Sequence, residues 1–165
     1  MADPAPRSPW LPPRAVVRGA WLLHRFYHRA TGGRRGLRLP KDRTWGTLVL
    51  TTVGRKTGQR REAILGYYED GTNLVTLAMN GWAEAEPAWW LNLQAQPDAT
   101  VELKTGERAI HARTAEGDER TRLWTEYFGD EASGYATRRP KGTAVVVLEP
   151  RADQSSAPSR EPPSR

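Results

Sequence analysis

The sequence predicts a mainly β protein carrying helices, an α+β fold built on a small barrel of about six antiparallel strands. Three observations lead there. Short β-branched and apolar runs recur at close spacing, turn-forming Gly, Asn and Asp separate them, and only a few stretches carry helical periodicity. A chain of 165 residues holds one domain with a sizeable core, whereas two full domains would be cramped.

The elements follow in chain order. Residues 1–13 are rich in Pro, Ala and Arg, and residues 151–165 in Ser, Pro and Arg. Neither tail buries enough apolar surface to offset its ordering entropy, so both are expected to be disordered. Residues 14–31 read as an amphipathic helix, with Pro13 at its start and Gly32-Gly33 as its stop. Arg14, Arg18, Arg25 and Arg29 then fall within about 60° of one another. Val16, Ala20, Leu23, Tyr27 and Ala30 occupy the opposite side, a face that packs on the domain or lies on an anionic membrane. Strands are expected over 47–53 and 62–68, joined by a basic turn, and over 73–79 after the Glu69-Asp70-Gly71 hairpin turn. A helix over 87–94 carries Trp89, Trp90, Leu91 and Leu93, with the two tryptophans on different sides, one for the core and one for a ligand. A hairpin pairs 100–104 with 108–114, a second amphipathic helix covers 118–128, and the β-branched run 143–148 is a buried strand.

Charge narrows the partners. The net charge is +6, yet residues 1–61 carry 14 Lys/Arg against 2 Asp/Glu, and residues 62–165 carry 11 against 17. Basic character so localised favours a particular anionic partner over general stickiness. With no cysteine there is neither a disulfide nor a thiolate metal site, and three scattered histidines do not make a zinc centre. No apolar run reaches the roughly 20 residues that span a bilayer, and no secretory signal is evident, so a cytoplasmic location is expected.

The most informative segment is Thr51-Thr52-Val53-Gly54-Arg55-Lys56-Thr57-Gly58-Gln59-Arg60-Arg61. Glycines admit positive φ and let backbone N–H groups approach a ligand. Arginine forks and a lysine point charge match phosphate or carboxylate oxygens. Arg55, Lys56, Arg60 and Arg61 repel one another, so a bound polyanion would stabilise the turn. A solvated basic hairpin turn is the competing reading of the same residues.

Four motifs keep a distinctive order: Leu50 to Gln59, then Tyr68-Glu69-Asp70-Gly71, then Pro87-Ala88-Trp89-Trp90-Leu91-Asn92-Leu93, then Ala99-Thr100-Val101-Glu102-Leu103. Over roughly residues 45–150 the chain resembles the deazaflavin-dependent nitroreductase and quinone reductase family of actinobacteria. The resemblance implies a split β-barrel related to proteins that bind flavin mononucleotide. It also implies reduced coenzyme F420 as hydride donor, with flavin mononucleotide as the alternative cofactor and a quinone or nitroaromatic as acceptor. In the family, positions matching Arg55, Lys56, Thr57, Gly58, Gln59 and Arg61 hold the phosphate and acidic tail. Positions matching Ala78, Met79, Asn80 and Gly81 run beside the ring, and those matching Ala88, Trp89 and Asn92 complete the groove. Tyr135 is the expected catalytic residue, as proton donor or hydrogen-bond partner to the acceptor.

The chain departs from the family where several members carry Ser-Lys-Gly-Gly and this sequence has Met79-Asn80-Gly81-Trp82. It also departs at Gly66, where characterised nitroreductases present a tyrosine. Three function classes are therefore weighed: a deazaflavin-dependent oxidoreductase, a cofactor-sequestering protein without turnover, and a basic nucleic-acid-binding module. The last is weakest, because the cations lack interleaved stacking aromatics, and no nucleic-acid partner is expected.

Overall fold

A computed structural model describes residues 36–41, 44–79, 85–129 and 142–151. The chain divides into two units, Met1–Gly36 and Leu37–Arg165. Apart from Gly36, every described residue belongs to the second. The expected helix over 14–31 with its arginine stripe, both tails, and Asn80, Gly81, Trp82 and Tyr135 lie outside the described residues.

Six strands close an antiparallel barrel: β1 (Gly46–Val53), β2 (Arg60–Asp70), β3 (Asn73–Leu77), β4 (Asp98–Leu103), β5 (Gly106–Thr114) and β6 (Val145–Pro150). Around the barrel their order is β1-β2-β3-β6-β5-β4, with β4 returning to pair with β1. Helix α1 (Ala88–Ala95) connects β3 to β4, and α2 (Gly117–Leu123) follows β5. Two expectations are corrected. The third strand stops at Leu77 instead of Met79, because Met79 N–H turns back to the Leu77 carbonyl at 2.8 Å. The second helix is α only to Leu123 and continues as a π-helical turn over Trp124–Phe128.

Alternation along the strands sorts the core into two layers. Leu48 and Leu50 of β1 share the barrel interior with Leu74, Val101, Ile110, Val146 and Leu148, and Trp89, Trp90 and Leu93 of α1 join them. An outer layer gathers Tyr68, Val75, Leu77, Val145 and Val147 beneath Leu123 and Phe128, with Trp45, Met79, Trp124 and Tyr127 packed on it. Strand β6 thus contributes to both layers, so it reads as an unbroken β-branched run without alternation. Among the described residues two buried polar atoms in the interior, Tyr67 Oη and Trp90 Nε1, have no hydrogen-bond partner. Burial, helped by Glu69, raises the Tyr67 phenol above its ordinary pKa, with Arg108 opposing.

Ion pairs fasten the outer helix to the sheet. Arg122 donates from both terminal nitrogens to Asp70 at 2.9 Å, and Tyr127 donates its hydroxyl to the Glu69 carbonyl at 3.0 Å. Burial and the Asp70 carboxylate push the Tyr127 phenol up to about 12, so it remains a donor. Arg113 of β5 donates to both carboxylate oxygens of Glu119 and through Nε to Glu149 at 2.7 Å. Arg122 holds the Asp70 carboxyl below the usual carboxylate range, and Arg113 does the same for Glu119. A carboxylate with a lowered folded pKa stabilises the fold above its unfolded pKa, about pH 4, and loses that contribution as pH falls through the folded value. Stability measured from pH 6 to pH 2 is expected to fall less steeply in Asp70→Asn than in the unaltered protein. Identical slopes would remove Asp70 from the acid response.

Candidate functional site

The basic turn is a compact loop between β1 and β2. Gly54 N–H donates to the Gln59 carbonyl at 2.8 Å, while the Gly54 carbonyl accepts from Thr57 N–H at 3.1 Å and Gly58 N–H at 2.7 Å. Gly58 has φ +66°, a left-handed conformation that side chains rarely adopt. A Cβ on Gly54 would sit 3.1 Å from the Gln59 carbonyl oxygen and 3.2 Å from Thr57 Oγ1, so glycine is what lets the loop close this tightly.

Charge on the loop is presented unevenly. Arg61 is braced by its neighbours, donating to Gln59 Oε1 at 3.1 Å and reaching Thr57 Oγ1 at 3.5 Å. Lys56 and Arg60 are exposed, and no hydrogen bond or ion pair joins their side chains to the other described residues. Arg55 turns the other way, toward α1, donating its backbone N–H to Asn92 Oδ1 at 3.2 Å and bringing a guanidinium nitrogen to 3.5 Å from the same oxygen. Asn92 Nδ2 donates to Thr52 Oγ1 at 3.1 Å, and the Thr52 hydroxyl reaches the Arg61 carbonyl at 3.4 Å. Both side chains are buried, Thr52 at 2% and Asn92 at 4% exposure.

The fold therefore brings Arg55, Lys56, Thr57, Gly58, Gln59 and Arg61 onto one loop and joins that loop to α1 through Asn92. Ala88 is exposed in the first turn of α1, which starts where the Pro87 carbonyl accepts from Trp90 N–H at 3.0 Å. Trp89 and Trp90 are not divided between core and surface. Both are buried in the interior, with ring centroids 6.2 Å apart. Ala78 extends the β3–β6 ladder, donating to the Ala144 carbonyl at 2.9 Å, and packs with the two tryptophans. Met79 instead packs on the outer aromatic layer. Reading the sequence missed Thr52. Its signal is period two: Leu48 and Leu50 point inward, and a polar residue at the next inward position has to find a buried partner.

The donor chemistry fits a phosphate with an acidic tail: two exposed cations without side-chain partners among the described residues, a braced arginine, and a glycine turn that leaves little room for a Cβ at Gly54. The six antiparallel strands with this turn at one strand end form a closed split β-barrel. The sequence profile of the F420H(2)-dependent quinone reductase family matches residues 21–150, and the chain belongs to that family. It is 31% identical over 131 residues to an F420H(2)-dependent quinone reductase of Mycobacterium tuberculosis strain H37Rv, spanning 76% of this chain and 87% of that protein. A homologue of the same description from strain CDC 1551 matches to the same extent, 31% over 131 residues. The solved structure of an F420-H2 dependent reductase, FDR-A, superposes with a TM-score of 0.55 at 25% identity, covering 69% of this chain and 100% of that one. A second solved chain, described as a domain-swapped dimer, gives a TM-score of 0.56 at 25% identity over 80% and 99% of the two chains. The protein is an F420-dependent oxidoreductase, with coenzyme F420 as its cofactor.

Proposed function

We propose that the protein reduces a quinone, with nitroaromatics as a second acceptor class, and that the loop from Gly54 to Arg61 grips the phosphate and glutamate tail of coenzyme F420. The observation that carries this reading is the pair of exposed cations, Lys56 and Arg60, without side-chain partners among the described residues, beside the braced guanidinium of Arg61. When bound, the reduced deazaflavin supplies a hydride. The chain's own residues do the rest. Lys56, Arg60 and Arg61 neutralise the tail, with Thr57, Gly58 and Gln59 shaping the loop around it. Ala78 and the first turn of α1, with Ala88 and Trp89, would hold the ring, and Asn80 and Gly81 are assigned to the same role on the family resemblance alone. Tyr135 supplies a hydrogen bond or proton to the acceptor oxygen, which a quinone needs on its way to the hydroquinone. Met79 offers the acceptor an apolar, polarisable contact. Such chemistry needs positioning and water exclusion more than a protein nucleophile.

The test is to mix the protein with reduced coenzyme F420 and menadione and to follow cofactor reoxidation. Catalysed reoxidation well above the uncatalysed rate is expected, across several planar quinones. Tight cofactor binding without reoxidation of any quinone or nitroaromatic would replace turnover by sequestration. Titration with flavin mononucleotide alongside, read by tryptophan quenching, is expected to show weaker binding, because that cofactor lacks the polyglutamate tail.

A further inference from the structure

We propose that Thr52 and Asn92 form a latch that holds the basic loop in its ligand-ready shape before any polyanion arrives, an inference that rests on the tail-binding reading above. The pair are positioning residues. They link Arg55, at the start of the cationic stretch, to Arg61, at its end, through the body of helix α1.

The geometry argues for this role step by step. Asn92 Oδ1 accepts from the Arg55 backbone N–H and lies within reach of its guanidinium, so the amide oxygen is engaged inside the protein. Asn92 Nδ2 donates to Thr52, and the Thr52 hydroxyl passes the connection to the Arg61 carbonyl. Neither side chain reaches solvent, so removing one partner strands a buried polar group on the other. Against this stands the loop's own electrostatics: Arg55, Lys56, Arg60 and Arg61 crowd seven consecutive residues. Like charges so close favour an open loop whenever no anion is bound. A latch anchored on a helix whose Trp89, Trp90 and Leu93 are core residues opposes that opening with a rigid support. Ordering cost that is met in the free protein is not charged to the cofactor on binding, which raises affinity without a new contact.

Thr52 separates this role from direct contact. A direct ligand contact by Asn92 would leave Thr52 without effect, whereas a latch needs both. The experiment uses the full chain with three single variants, Thr52→Val, Asn92→Ala and Thr52→Ser, and the double variant of the first two. Hydrogen exchange of the Arg55 amide is read by NMR in the cofactor-free protein, and dissociation constants are read for coenzyme F420 with short and long glutamate tails. Thr52→Val and Asn92→Ala are each expected to speed Arg55 exchange and to weaken long-tailed cofactor by about tenfold, the loss of one buried hydrogen bond. Thr52→Ser should restore both readings, and the double variant should lose no more than either single one. Exchange and affinity unchanged in Thr52→Val, or fully additive losses in the double variant, would overturn the latch. An unaltered protein that binds short and long tails equally refutes tail binding instead. The latch then stands or falls on Arg55 exchange alone, upheld if both Thr52→Val and Asn92→Ala accelerate it and overturned otherwise. A melting temperature for each variant keeps global unfolding from imitating either result.

Discussion

Lys56→Ala combined with Arg61→Ala is expected to weaken binding of long-tailed coenzyme F420 by about 100-fold, and of a short-tailed form by clearly less. Each charge-assisted hydrogen bond contributes about 1.5–3 kcal/mol, and exposure to solvent and salt puts both residues at the low end of that range. The two are not equivalent. Arg61 is held by Gln59 and Thr57, so its loss also loosens the loop that carries Lys56. Arg61→Ala alone should therefore cost more than Lys56→Ala alone, although both remove one charge. Equal affinities for short and long tails in the double variant and in the unaltered protein would rule out the loop as the tail site.

Gly66→Ala should destabilise the fold by about 1–3 kcal/mol, a large effect for one methyl group. A Cβ at this position would stand 2.6 Å from Trp45 Cε3, so the indole has to move. It is poorly placed to do so, because its ring packs 5.2 Å from Tyr68 and 5.7 Å from Phe128. Trp45→Leu in the same chain should recover part of the loss, since the smaller side chain vacates the space, and additive effects in the double variant would contradict this account. Chemical denaturation of the four proteins gives the comparison directly. The departure from the nitroreductases at Gly66 thereby acquires a physical cause: the space above this strand position is filled by tryptophan from the preceding segment.

Much of the architecture was legible because its signals are local. Strand β1 buries Leu48, Leu50 and Thr52 at period two, with Val49 buried as well and Thr47 and Thr51 half-buried, and the Glu69-Asp70-Gly71 and Thr105-Gly106 turns mark their hairpins, Gly71 and Gly106 with φ of +62° and +128°. The unbroken run in β6 correctly announced a strand buried on both faces. What resisted reading depends on contacts between distant residues. That Trp89 and Trp90 are both buried is decided by barrel residues far from them in sequence, and periodicity within an eight-residue helix says little about that. The π-helical turn after Leu123 has no sequence rule of its own, although Tyr127 and Arg122 are both committed to the β2–β3 hairpin there. Around the site, the cations were legible as charges. Their division into Arg55 tied to α1, Arg61 braced within the loop, and Lys56 and Arg60 without side-chain partners among the described residues was not, because the tie depends on Asn92, 37 residues beyond Arg55.

Strand β6 lies between β3 and β5 and pairs with each along its length. It is the last of the six strands in the chain, so during synthesis the cylinder stays unsealed until residues 145–150 have left the ribosome. Up to that moment both flanking strands present unpaired edges, and Leu74 and Ala112 lack their common register partner Leu148. Unpaired edges recruit foreign strands. The interval between the emergence of β5 and of β6 is therefore when a nascent chain of this protein most needs a chaperone, and when a second nascent chain could lend it the missing strand.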